Sequence, residues 1–114
     1  MNDLDSIQRE ILMEGLDDYV GLWQVVRSLR ELFGDLPTDR IRGLALERLQ
    51  PLLDQGLIES GMPGSGEFLS WGSDAATTLA RIDAEWRALG KDPNMPDICW
   101  FSNTEKGDLI AKIL

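Results

Sequence analysis

The sequence predicts an α+β domain that is mainly α-helical, with a small antiparallel β-hairpin and one helix inserted after it. Three observations predict this class. Apolar residues recur at three- and four-residue steps through much of the chain, which is the period of a helix with one buried face. Two short extended stretches flank the turn-rich residues 61–66, which is typical of a hairpin. A length of 114 residues suits one domain, so residues 1–114 are assigned to a single unit.

Two helices are predicted in the N-terminal third. The first can be capped by Asp3 or Asp5, and its apolar face is Leu4, Ile7, Ile11 and Leu12. The second follows Asp17 and Asp18, which are predicted to cap it. It ends at Gly34, because glycine accepts a positive φ without penalty. Its expected core stripe is Tyr19, Leu22, Trp23, Val26, Leu29 and Phe33.

A third helical region begins at Thr38 or Asp39. Gly43 and Pro51 lie inside it, so either the helix bends near Pro51 or the region divides near Gly43 into two short helices. Both alternatives stay open. The expected buried side is Ile41, Leu44, Ala45, Leu49, Leu52 and Leu53.

The hairpin strands are predicted at residues 57–60 and 67–71. A further helix then starts at a cap formed by Ser73 or Asp74 and ends at Gly90. Its apolar face is Leu79, Ile82, Trp86 and Leu89.

The chain is predicted to close with a strand at residues 98–101 and a short helix capped by Thr104. The helix is expected to pack back on the core through four apolar residues, Leu109, Ile110, Ile113 and Leu114.

This order of elements resembles the winged helix-turn-helix superfamily. The residues that carry the resemblance are Ala45, Leu49 and Leu53 before Gly56-Leu57-Ile58-Glu59, and Phe101 with Thr104-Glu105-Lys106-Gly107. In that superfamily the first group ends the recognition helix and opens the wing, and the second closes the wing and opens a C-terminal helix. The resemblance implies a winged-helix-like body. This chain departs from the superfamily in its wing, which is normally a tight hairpin, because a helix-bearing segment, about residues 72–97, separates the two strands. The chain also resembles a set of small, functionally uncharacterised bacterial proteins, which implies no activity.

Charge is the most informative property of the composition. Twenty acidic and eleven basic side chains give a net charge of −9. Residues 1–18 hold six of the acidic side chains and only one basic one, so we expect a partner-binding acidic face there: Asp3, Asp5, Glu10, Glu14, Asp17 and Asp18. Such a surface repels phosphate backbones and anionic lipid, and it attracts cationic partners. The plainer interpretation is that surplus carboxylates keep a small protein in solution.

The inventory of reactive side chains argues against an enzyme. Histidine, the commonest general base and zinc ligand, does not occur. The single cysteine, Cys99, lies in a predicted apolar strand without a neighbouring basic residue, so we expect a packing role for it. The turn-rich loop at 61–66 lacks the GK[ST] ending of a phosphate-binding loop. No catalytic residue, cofactor or metal ligand is therefore assigned.

Four tryptophans allow two interpretations. Trp23 and Trp86 fall on helical stripes with leucines and are expected in the core. Trp71 and Trp100 flank the inserted segment and are candidate interface aromatics, because tryptophan is favoured where proteins bind one another.

We therefore expect a non-catalytic, acidic protein-binding module. A concrete version is an immunity or antitoxin protein that neutralises a basic partner such as a nuclease toxin. The alternative is a winged-helix transcriptional regulator that contacts DNA phosphates through Arg40, Arg42 and Arg48. Nucleic acid is the less favoured partner, because the candidate recognition helix carries as many acidic as basic groups.

The expected location is the cytoplasm. The N-terminal residues lack a basic region followed by an apolar stretch, so no secretory signal is expected. No apolar run approaches the ~18 residues of a membrane span, and a membrane partner is not expected. One cysteine fits a reducing compartment. The sequence leaves the oligomeric state open.

Overall fold

Five helices and four strands lie within residues 3–114, the part of the chain that the computed structural model describes. Their bounds are α1 Ser6–Glu14, β1 Val20–Gly21, α2 Leu22–Phe33, α3 Thr38–Asp54, β2 Ile58–Pro63, β3 Phe68–Ser70, α4 Ala75–Leu89, β4 Trp100–Asn103 and α5 Glu105–Ala111. The predicted class is confirmed: the fold is α+β, most of its regular structure is helical, and α4 is inserted after a β-hairpin.

The four strands form one antiparallel sheet in the spatial order β1-β4-β2-β3. Phe101 of β4 is in register with Val20 of β1 and with Ser60 of β2. These three residues are buried, and the alternation of side chains along a strand places Gly21 and Trp100 on the opposite face. One face of the sheet therefore covers the core, and the other carries Trp100.

Helix α1 begins at Ser6 and is capped by Asp5, one of the two predicted caps. The Asp5 side chain accepts the N–H of Gln8 at 2.9 Å, and the Gln8 side chain accepts the N–H of Asp5 at 2.9 Å. This reciprocal cap satisfies two helix donors that have no partner inside the helix. Gln8 also donates to the carbonyl oxygen of Arg48 in α3 at 3.0 Å, so the cap fixes α1 against α3.

The start of α2 differs from the prediction. The helix begins at Leu22, and Asp17 and Asp18 do not cap it, because residues 20–21 form β1 instead. The N–H of Leu22 donates to the carbonyl oxygen of Cys99 at 3.1 Å. The hydrogen bonds between β1 and the β4 side of the chain therefore extend to the first residue of the helix. An apolar run at this position suits a helix or a strand, and the long-range pairing decides between them. The two aspartates lie in the turn before β1.

The core stripe predicted for the second helix is wrong at both ends. Tyr19 precedes the helix and is only half-buried, and Phe33 is 39% exposed. The centre of the stripe is confirmed by three buried residues, Leu22, Val26 and Leu29. Gly34 ends the helix as predicted, with a φ of 79°.

Residues 38–54 form one helix, α3, so the alternative of two short helices is wrong. Gly43 is exposed, and a Cβ added there would have no neighbour within 4 Å. A bend at Pro51, which lies inside the helix, stays a prediction. Arg42 donates to a carboxylate oxygen of Asp83 at 3.0 Å, and this contact joins α3 to the inserted helix α4.

The hairpin and the inserted helix agree with the prediction. Strands β2 and β3 are antiparallel, with Met62 in register with Leu69. Asp74 caps α4 by accepting the N–H of Thr77 at 2.8 Å, and this hydrogen bond holds the pKa of Asp74 below its ordinary value. Gly90 ends the helix in the left-handed conformation, with a φ of 75°.

The last helix is capped by Thr104, as predicted, and two of its four predicted core residues, Ile110 and Leu114, are half-buried against the core. Leu109 is 62% exposed and Ile113 is 80% exposed, so their predicted packing is wrong. The buried face instead contains Gly107, where an added Cβ would overlap the carbonyl oxygen of Leu57. This close backbone approach brings α5 against the chain at Leu57, while Leu109 and Ile113 stay outside.

The core lies between the sheet and the helices. Trp86 and Phe101 are the largest of its fully buried side chains, and Trp86 is in the core as predicted. Arg30 ties the end of α2 to the loop after α4 through an ion pair with Asp92, 2.9 Å from Nε to Oδ2. The hydrogen bond with Asp92 raises the pKa of Arg30. No helix among residues 3–114 has the length and apolar character needed to cross a membrane.

Candidate protein-binding groove

An open groove of about 510 Å³ lies where the end of α1, the turn into β1, the first turn of α2 and strand β4 come together. We call it the acid–aromatic groove. Its lining residues are Met13, Glu14, Asp17, Asp18, Tyr19, Trp23, Gln24 and Trp100. The groove thus combines three carboxylates, three aromatic rings and the side chains of Met13 and Gln24.

The three carboxylates are brought together by the turn that ends α1. The carbonyl oxygen of Glu14 accepts the N–H of Asp17 at 3.1 Å and that of Asp18 at 3.2 Å, so the chain folds back on the last residue of the helix. The Asp18 side chain accepts the N–H of Tyr19 at 2.7 Å. All three acidic residues are exposed, and in the described part of the chain none of them forms an ion pair with lysine or arginine.

Gly21 allows two indole rings to pack against its backbone beside the carboxylates. A Cβ at this position would lie 2.5 Å from Cδ1 and Nε1 of Trp23 and 3.3 Å from Cε3 of Trp100. Both tryptophans are half-buried, so each packs on the backbone with part of its ring open to solvent. The indole N–H of Trp23 is buried without a hydrogen-bond partner.

A cation from the chain itself already lies on one of these rings. The guanidinium carbon of Arg27 is 4.9 Å from the centre of the Trp23 ring, within the range of a cation–π contact. Tyr19 extends the aromatic surface towards β3, because its ring centre is 4.9 Å from that of Phe68, with the rings inclined at 45°. The groove therefore borders a wider aromatic area on the outer side of the sheet.

The six residues of the predicted acidic face do not form one surface. Glu14, Asp17 and Asp18 line the groove, and Glu10, one helical turn earlier, accepts a hydrogen bond from the hydroxyl of Ser28. Asp3 and Asp5 lie at the other end of α1, roughly 13 Å away for a helix of this length.

Asp5 also helps to hold the fold together. It caps α1, and one of its oxygens is 3.0 Å from Nε of Arg48. This ion pair reduces its availability to a partner.

The two candidate interface tryptophans have different surroundings. Trp100 lines the groove, and its interface role stays a prediction. Trp71 is half-buried against the core, and the guanidinium of Arg81 stacks 3.7 Å from the centre of its ring. Part of the Trp71 ring is therefore covered by the chain itself.

Sequence reasoning missed Tyr19 and Trp23 as groove residues, because the helical stripe assigned both to the core. The available signal was Gly21, which lies between them. Glycine is disfavoured inside a well-packed helix, and it is needed where an aromatic ring approaches the backbone closely.

Two of the three arginines considered for DNA contact are engaged within the molecule. Arg42 is 8% exposed and bonds to Asp39 at 2.8 Å as well as to Asp83. Arg48 pairs with Asp5 and Glu47. Arg40 is exposed and, within residues 3–114, has no ion pair. This helix surface offers a single uncommitted guanidinium among the three.

The single cysteine and the possible metal ligands pose separate questions. Cys99 is 1% exposed, and burial raises the pKa of its thiol, which disfavours the reactive thiolate form. Across residues 3–114 no three His, Cys, Asp or Glu side chains lie where they could hold a metal ion.

Comparison with known proteins gives no family assignment: no protein-family model, curated protein or solved structure matches the chain. The functional interpretation therefore rests on the acid–aromatic groove.

Proposed function

We propose that this protein is a non-catalytic module that binds a basic protein partner through the acid–aromatic groove. One observation carries the proposal: Glu14, Asp17 and Asp18, which have no cationic partner among the described residues, lie beside partly open rings of Trp23 and Trp100. Carboxylates without an internal cation are available to an incoming one, and aromatic rings supply the area that anchors interfaces.

The charge of the whole chain supports the same proposal. A net charge of −9 produces an electrostatic field that draws a basic protein towards the molecule and repels nucleic acid. An immunity or antitoxin protein that covers the basic surface of a nuclease is the concrete form we propose. The proposal includes a cytoplasmic location, for which the support is the free thiol of Cys99.

The test uses the partner that co-purifies from the native host. We expect its association rate constant to fall about tenfold between roughly 0.05 and 0.5 M NaCl, because salt screens the attraction between opposite charges. The variant Asp17→Asn/Asp18→Asn should associate about threefold more slowly at low salt. Asparagine preserves the shape of the turn and the acceptor for the N–H of Tyr19.

The matched control is Glu31→Gln/Asp54→Asn, which removes the same charge from two exposed positions outside the groove. We expect this control to bind at nearly the wild-type rate. An association rate that is indifferent to salt, or equal losses in the two double variants, would remove the groove from the proposal.

A winged-helix regulator is the second candidate, and one observation favours it. Strands β2 and β4, which the resemblance makes the strands of the wing, pair directly from Ile58 with Asn103 to Gly61 with Trp100. Strand β3 and helix α4 then form the segment inserted between β2 and β4. The pairing supports winged-helix ancestry, while the engagement of Arg42 and Arg48 weakens the case for DNA contact.

Anisotropy of labelled promoter DNA at low salt separates the two candidates. The protein-binding proposal expects no saturable change at micromolar protein. Saturable binding that is lost in Arg40→Gln would favour gene regulation instead, because Arg40 is the uncommitted cation on α3.

A further inference from the structure

We infer that the basic partner anchors in the acid–aromatic groove through an arginine side chain, stacked on Trp100 and paired with the carboxylates of the turn. The inference deepens the proposed function and rests on it. It adds the identity of the recognised group: a planar guanidinium rather than the ammonium of lysine.

The chemistry of the groove suits a guanidinium. Its flat, weakly hydrated face stacks on an indole, while its edge donates several hydrogen bonds to carboxylate oxygens at the same time. The groove offers both surfaces together, since Trp100 and Trp23 both lie against Gly21 and the exposed carboxylates of Asp17 and Asp18 line the same space. An ammonium group can use the charge but gains less from the ring.

The molecule already contains the contact that we assign to the partner. Arg27 lies over Trp23, and two further arginines lie over aromatic rings elsewhere, Arg81 over Trp71 and Arg48 over Phe33. Trp100 differs from Trp23 and Trp71, because within residues 3–114 no cation lies over its ring. It is the open indole in a groove whose other indole holds a guanidinium.

The charge and the shape of the groove together therefore assign an arginine of the partner as its occupant. Three exposed carboxylates give the groove a local negative charge, and the nearest cation on its rings, Arg27, stacks on Trp23 without an ion pair in the described residues. An arginine from a partner can enter between Trp100 and the turn without displacing an ion pair of the protein itself.

Two synthetic peptides of equal charge test the inference. One alternates arginine with glycine and the other alternates lysine with glycine, both with blocked ends. Each is titrated into the ¹⁵N-labelled protein at low salt, and the four indole N–H signals are followed by NMR. We expect the arginine peptide to bind about fivefold more tightly, with shifts at Trp23 and Trp100 but not at the buried Trp86.

Two variants of Trp100 test whether the preference for the arginine peptide depends on this ring. Trp100→Leu should abolish the difference between the peptides and leave weak, charge-driven binding of both, whereas Trp100→Phe should retain part of the difference because it keeps an aromatic face. Thermal unfolding of both variants establishes that they are folded. Asp17→Asn/Asp18→Asn, which alters only exposed side chains, should weaken both peptides and provides a second readout.

The outcomes separate this inference from the proposed function. Equal affinities for the two peptides overturn the arginine inference, and so does the absence of shifts at Trp23 and Trp100. A preference that survives Trp100→Leu also overturns it. The proposed function fails on a different result, an association rate of the whole basic partner that does not respond to salt.

Discussion

Gly21 shows how one residue serves both the fold and the groove. It lies at the end of β1, it is the N-cap of α2, and its N–H is accepted by the side chain of Gln24 at 2.7 Å. Because it lacks a side chain, the rings of Trp23 and Trp100 can approach its backbone.

Gly21→Ala therefore provides a prediction at the residue scale. The new methyl group meets the edge of the Trp23 ring, so the ring must move or the strand must shift. We expect a loss of about 1–3 kcal/mol in the free energy of unfolding, as for an overpacked site. The indole NMR signals of Trp23 and Trp100 should move, with weaker binding of the arginine peptide.

The buried Trp86 supplies an internal control for this variant, since its indole signal should stay in place. Unchanged signals from Trp23 and Trp100, together with full stability, would show that the two rings do not depend on Gly21.

At the scale of elements, three helix caps and the local β2–β3 hairpin could be predicted from sequence, whereas the long-range pairing of β1 with β4 could not. Asp5, Asp74 and Thr104 cap helices through residues three positions away, so the signal is local. Strand β1 exists because Val20 pairs with Phe101, about eighty residues later, and no local pattern reports that contact. The residues of the groove also divide into those with a local signal and those without one. Its carboxylates were evident from local charge, whereas its rings are assembled by the unpredicted strand.

The docking of α5 was also beyond sequence reasoning, because it includes a close backbone contact. Gly107 brings the helix against the carbonyl oxygen of Leu57, while the periodicity of the helix favoured a face containing Leu109. In the sequence, the large apolar Leu109 was the stronger indication of a buried face, although Gly107 is the residue that makes the contact.

Gly107→Ala tests this account of how α5 docks. The added methyl would overlap backbone, which cannot move aside as a side chain can, so we expect a loss of about 1–3 kcal/mol in the free energy of unfolding. The matched control is Gly43→Ala in α3, where the methyl meets nothing within 4 Å. There we expect a gain of about 0.5–1 kcal/mol, because alanine favours the helix.

Urea unfolding of the two variants beside the wild type measures the difference. Opposite signs are expected from the same chemical change in two helices. Equal effects would mean that α5 does not depend on the approach of Gly107 to Leu57.

For the whole molecule, the net charge of −9 acts on stability and on binding in opposite directions. Carboxylates repel one another in the folded state, where they are closer together than in the unfolded chain, so repulsion lowers the free energy of unfolding. The same charges attract a basic partner. Salt screens both effects, and it should therefore stabilise the fold while weakening the complex.

The two double variants separate these effects. Raising NaCl to roughly 0.3 M should increase the free energy of unfolding of the wild type by on the order of 0.5 kcal/mol. Asp17→Asn/Asp18→Asn and Glu31→Gln/Asp54→Asn remove equal charge, so both should show a smaller increase in urea unfolding. In partner binding they should differ: the groove variant should lose much of its salt dependence, and the control should keep it. If the control lost as much salt dependence as the groove variant, the attraction would belong to the overall charge of the molecule, and the position of Asp17 and Asp18 beside Trp100 would have no part in it.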